Sequence, residues 1–85
     1  MVMANFKAKV EVKFKAGVHD PQGETIKHAL ANLGFHDVKS INTGKIFTIE
    51  LEAETSEQAK SAAKLYADKL LANPVIEEFK VELIS

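Results

Sequence analysis

Phe6-Lys7-Ala8-Lys9-Val10-Glu11-Val12-Lys13-Phe14-Lys15, with Gly17-Val18-His19-Asp20-Pro21-Gln22-Gly23 close behind it, sets the architecture of this chain. From residue 5 to 15 apolar and charged residues alternate strictly. Phe6, Ala8, Val10, Val12 and Phe14 face one way, and the lysines with Glu11 face the other, which is the pattern of a half-buried strand. The second stretch is a strand-to-helix turn. Asp20 is placed to cap a helix whose first residue is Pro21, where a missing N–H does no harm.

Ile26, Ala29, Leu30 and Leu33 then recur at helical spacing and give one apolar face. Gly34 is a helix-terminating residue, with Phe35 as the apolar partner of a Schellman-type stop. Residues 38–53 read as two strands or one bent ribbon. The first is irregular, because Val38 and Ile41 are out of phase; the second is the alternating run Phe47, Ile49, Leu51, Ala53. Asn42-Thr43-Gly44-Lys45 is the turn signal between them. Thr55 and Gln58 fit a capping box. Ala59, Ala62, Ala63, Tyr66, Ala67, Leu70 and Leu71 trace a long helical stripe, and Pro74 ends that helix at Asn73. Phe79, Val81 and Leu83 alternate in a last strand.

The order β-α-β-β-α-β in 85 residues predicts one domain, residues 1–85, of α+β class. The arrangement expected is a ferredoxin-like sandwich, an antiparallel sheet with two helices on one face. In its usual strand order the first strand lies between the third and the fourth. The lysine row then stands beside Glu50 and Glu52 on one side and Glu78 and Glu82 on the other, as a charge-matched, solvated face.

Composition excludes several functions. The net charge is −1, and all 11 basic residues are lysines. Arginine is the usual group for bidentate phosphate and base contacts, so nucleic-acid recognition is not expected. With 0 cysteines there is no disulfide, thiolate metal site or cysteine nucleophile. Nothing approaches the about 20 apolar residues of a membrane span, and Met1–Asn5 has no signal-peptide character, so a cytoplasmic protein is expected. His19, His28 and His36 lack the spacing of a helical zinc pair. The Gly17–Gly23 loop precedes a helix, but it has no Gly-Lys-Ser/Thr ending, and Asp20 would repel an anion there. Glu50/Glu52 and Glu77/Glu78 are structural pairs rather than catalytic ones. The fold class also offers RNA binding through exposed aromatics, soft-metal transport through cysteines, and phosphate hydrolysis through an arginine. The residues each requires are missing.

Two motifs carry a family resemblance: Gly17-Val18-His19-Asp20-Pro21-Gln22-Gly23-Glu24-Thr25-Ile26 and Leu70-Leu71-Ala72-Asn73-Pro74-Val75-Ile76-Glu77-Glu78-Phe79-Lys80-Val81. With Ala29-Leu30, Gly34-Phe35, Val38-Lys39, Gly44-Lys45 and Ile49-Glu50-Leu51 between them, the chain resembles PurS, the small subunit of phosphoribosylformylglycinamidine (FGAM) synthase. The resemblance implies purine biosynthesis, where formylglycinamide ribonucleotide is amidated at the expense of ATP and glutamine. It implies a component of a ligase complex that is not catalytic on its own and binds no cofactor or metal. ATP and magnesium would be used by the large synthetase subunit, PurL, and ammonia would be released by a glutamine amidotransferase subunit, PurQ. It further implies a homo-oligomer, dimer or tetramer, that holds the two partners in register for ammonia transfer. A cysteine-dependent glutaminase cannot reside in a cysteine-free chain, in keeping with that division of labour.

Loops and element ends carry most partner contacts. The candidates are His19, Asp20, Gly23, Gly44, Lys45, Asn73 and Pro74, with Lys45 foremost because a turn does not need its charge. The competing reading is a free-standing regulatory domain that senses a small molecule at a dimer interface.

Overall fold

The alternating stretch forms the central strand of the molecule, β1, Ala4–Phe14, in a computed structural model that describes residues 3–84. Around it stand α1 (Pro21–Asn32), β2 (Gly44–Ala53), α2 (Ser56–Tyr66) continued by one π-helical turn (Ala67–Leu71), and β3 (Glu77–Leu83). The sheet is antiparallel with order β2-β1-β3, so β1 is flanked on both sides, and among the described residues β2 and β3 each keep an unpaired edge.

Ala8, Val10 and Val12 are buried beneath Ala63 and Ala67, and Phe47, Ile49, Leu51, Phe79 and Leu83 pack around them half-buried. The alanines let α2 lie close to the sheet and touch all three strands. On the opposite face the expected charge matching is present for Glu50, Glu78 and Glu82, whereas Glu52 stands opposite Asn5 and meets no lysine across the strand pair. Lys7 Nζ stands 3.6 Å from Glu50, and Lys9 Nζ stands 3.9 Å from Glu82. Lys13 is opposite Glu78 and Glu11 opposite Lys80. Such exposed pairs contribute about 0–1 kcal/mol each, so they set register more than stability.

The helix ends follow their local signals. Asp20 caps α1 by accepting from Gly23 N–H at 2.9 Å. At its other end Phe35 N–H donates to Leu30 O and Gly34 N–H to Ala31 O, with Gly34 at φ +99°, the full Schellman pattern. Thr55 accepts from Gln58 N–H, and the Gln58 side chain accepts from Glu54 N–H.

The α+β class, the antiparallel sheet and the central first strand agree with expectation; four details differ. Residues 38–41 form no strand, because the neighbouring backbone is taken up by α1: Ile41 O packs on Gly23, and Thr43 N–H is bound by Asp20. Residues 42–45 are accordingly no hairpin turn, and Gly44 and Lys45 open β2. The helical stripe is broken at the π turn, which is held by Ala72 N–H on Ala67 O. Its wider winding keeps Leu71 inward and turns Leu70 out to 84% exposure, with Tyr66 also exposed.

The fourth difference concerns α1, which makes no more than marginal contact with the strands or with α2. Its apolar face is open: Ile26 is 39% and Leu33 73% exposed, and Phe35 just beyond is 56% exposed. The molecule is consequently long, 59 × 25 × 14 Å, with a radius of gyration of 17.0 Å. A compact chain of this length would have about 12 Å. The sheet with α2 forms a body, and α1 with the returning segment 33–43 forms an arm.

Candidate docking site at one end of the sheet

Beyond Phe14 the chain turns through Lys15-Ala16-Gly17-Val18, with Val18 N–H donating to Lys15 O and Gly17 at φ +84°. That turn needs a positive φ at its third residue, which glycine supplies without strain. It brings Asp20 to the start of β2. The Asp20 carboxylate is buried and accepts from Gly23 N–H, from Thr43 N–H at 2.6 Å, and from the Thr43 hydroxyl at 2.9–3.0 Å. These bonds hold its pKa below the ordinary value of 3.8. The Thr43 backbone contributes most and Gly23 next; burial opposes them without prevailing.

A side chain at Gly23 would collide with the Ile41 carbonyl, so glycine is required for the close approach of α1 and segment 41–43. Gly44 has a comparable role at the sheet, where an added Cβ would lie 2.8 Å from Val12 O. Its φ is not positive, so closeness to β1 and not turn geometry explains this glycine.

The second motif closes the same end. Lys15 donates its backbone N–H to Ile76 O at 2.9 Å and its Nζ to Pro74 O at 2.6 Å. Asn73 knits the turn: its side chain accepts from Val75 N–H, its carbonyl from Ile76 and Glu77 N–H, and its own N–H donates to the Glu77 carboxylate at 2.7 Å. All seven residues singled out from sequence therefore gather around the far end of β1. Asp20, Gly23 and Gly44 shape the backbone there, Asn73 and Pro74 form the adjoining turn, and His19 and Lys45 are exposed on it.

The reason given for Lys45 needs correction. It is a strand residue opposite Val12, in phase with Phe47 and Ile49, and so lies on the helix-bearing face at its end. Sequence reasoning missed Thr43 and Lys15. Thr43 stands in a stretch that reads as a turn, and Lys15 as the last residue of the alternation, so neither carries a local sign of its partner.

Among the described residues no group of three His, Cys, Asp or Glu side chains could hold a metal, and no buried side-chain polar atom lacks a partner. A hollow of about 370 Å³ lies between Lys13, Lys15, Asn42, Thr43 and Glu78 on one hand and Phe14 and Val18 on the other, so its lining mixes polar and apolar groups. No helix among the described residues is long and apolar enough to cross a membrane.

A small α+β domain with a hydrogen-bonded loop cluster and an open helical arm is the class that these features define. Comparison with known proteins gives the family. The profile of PurS, phosphoribosylformylglycinamidine (FGAM) synthase, matches residues 7–85. The PurS subunit of Methanocaldococcus jannaschii is 42% identical over 78 residues, 92% of this chain and 94% of that one. The crystal structure of the Thermotoga maritima PurS subunit superposes with a TM-score of 0.86 at 36% identity, covering 99% of this chain and 97% of the other. A chain in the Thermotoga maritima PurLQS structure matches with a TM-score of 0.85 at 37% identity, covering 95% and 99%. The chain belongs to the PurS family, the small subunit of FGAM synthase. These matches favour the synthase subunit over a free-standing metabolite sensor.

Proposed function

We propose that the chain is a docking subunit that holds the large synthetase subunit, PurL, and the glutamine amidotransferase subunit, PurQ, in register, so that ammonia passes between them without loss to water. The observation that carries this reading is the match to a chain of the Thermotoga maritima PurLQS structure over 95% of the present chain. On this reading bond-making belongs to the partners. The synthetase uses ATP and magnesium, this chain holds no cofactor, and the assembly works in the cytoplasm. The loop cluster at the end of β1, with His19, Asp20, Gly23, Gly44, Lys45, Asn73 and Pro74, is the proposed contact surface. Its internal hydrogen bonds support that role, because a surface already tied in place loses little entropy on binding.

The chain acts as a homo-oligomer, a dimer or a tetramer. The open apolar face of α1 supports this, since a small domain gains stability when such a face is covered.

Reconstitution tests the reading. With all three components, glutamine-dependent formation of formylglycinamidine ribonucleotide proceeds. Omitting this chain abolishes it and dissolves the complex. Equal activity and equal assembly without the chain would overturn the proposal. Lys45→Glu leaves folding intact, because the side chain is exposed, and weakens assembly; unchanged partner affinity would remove Lys45 from the surface.

A further inference from the structure

The cap of α1 needs one carboxylate oxygen, and Asp20 uses both. Oδ1 accepts from Gly23 N–H, while Oδ2 accepts from the N–H of Thr43, 23 positions away at the foot of β2, and the Thr43 hydroxyl lies within reach of either oxygen. Gly23 permits this approach by leaving room for the Ile41 carbonyl. Away from this junction α1 has only marginal contact with the rest of the fold, and Ile26, Leu33 and Phe35 lie open. A helix tethered at its first turn pivots about that turn unless a second bond fixes its angle.

We propose that the Asp20–Thr43 pair is a positioning clamp: it fixes the angle at which the α1 arm leaves the sheet, and so presents the apolar face of α1 in one pose to a second copy of the chain. The proposal rests on the homo-oligomer reading above. The elongated shape places the arm outside the body, where a second molecule can reach it. Charge permits the pairing, because Glu24 and Asp37 balance Lys27 and Lys39 across residues 21–43, so two arms meet without net repulsion.

The test compares self-association with helix formation. Thr43→Val removes the hydroxyl and keeps the shape. Asp20→Asn keeps an oxygen for the cap but turns a donor toward Thr43. Thr43→Ser restores the hydroxyl. Dissociation constants come from sedimentation across a dilution series, helix content from far-UV circular dichroism, and folding from thermal melts. The expected result is that Asp20→Asn, which sets a donor against the Thr43 N–H, weakens self-association by about tenfold or more with helix content retained; Thr43→Val, which loses the hydroxyl but keeps the N–H bond, weakens it less; and Thr43→Ser stays near the parent. A parent chain that is monomeric at every concentration overturns the homo-oligomer reading and the clamp with it. A parent that associates, with folded Thr43→Val and Asp20→Asn that associate equally well, overturns the clamp alone. Should one variant fail to fold, the other decides by the same comparison.

Discussion

The body and the arm solve the problem of smallness in opposite ways. The body covers its sheet with alanines: Ala63 and Ala67 share one buried cluster with Val10 and Val12, and Phe47, Ile49, Leu51, Leu71, Phe79 and Leu83 pack around it. The arm carries larger apolar groups and leaves them open, held to the body by one carboxylate and one glycine contact. One part thus builds a core of its own, although it also leaves Ile46, Leu65 and Leu70 open, and the other contributes almost nothing to that core. Changes to the body should act on folding, and changes to the junction should act on how the arm is held.

The largest effect is expected from Val10→Asp. An unpaired charge under α2 costs several kcal/mol, comparable with the whole stability of a domain this small. Thermal melts should show an unfolded protein at 25 °C, and a cooperative transition near that of the parent would refute the single alanine-lined core. Gly23→Ala comes next, because the added methyl meets the Ile41 backbone and must push α1 and segment 41–43 apart, at about 1–3 kcal/mol. Hydrogen exchange should speed up in α1 and residues 41–43 while β1 stays protected. Uniform acceleration across the chain would erase the distinction between arm and body.

Acid sharpens the same distinction. Asp20 is held below its ordinary pKa of 3.8, so its contribution is fully present above that value and is lost as the pH falls through the depressed one. The groups that bond it, Thr43, Gly23 and Gln22, carry no charge to confuse the titration. The amide signals of Gly23 and Thr43 should shift together with a midpoint under 3.8; a midpoint at or above it contradicts the clamp geometry. The smallest effect belongs to Pro74→Ala. The carbonyl that receives Lys15 survives the change, and only the greater freedom of the unfolded chain remains, at about 0.4–1 kcal/mol. A denaturation curve that coincides with the parent would count against a constraint at Pro74.

What the sequence made legible was local. The alternation in β1, the Asp20 cap, the Schellman stop at Gly34 and the Thr55–Gln58 box each depend on residues within about four positions, where side-chain chemistry alone fixes the backbone. The central place of β1 was expected from the usual strand order of a ferredoxin-like sheet, and the three-stranded order β2-β1-β3 keeps it. The seven contact candidates were found as separate punctuation marks; that they meet at one end of the sheet depends on Lys15 reaching Pro74 and Asp20 reaching Thr43, over 59 and 23 positions. The spacing of Ile26, Leu30 and Leu33 announced an apolar helical face but not what would cover it, and so suggested a second helix on the sheet where the structure has an arm. Lys45 was misread for a related reason: without strand 38–41 there is no hairpin, and a residue that looks like a turn becomes the second residue of β2.

Having its first strand in the middle leaves the sheet with two raw margins. β2, ten residues long, borders one of them, with Ile46 open beside it, and β3 borders the other. Such margins are templates onto which further strands add. An edge of this kind left uncovered is a route to clumping, so the same margins that could accept another strand also make the chain prone to aggregate when it is concentrated.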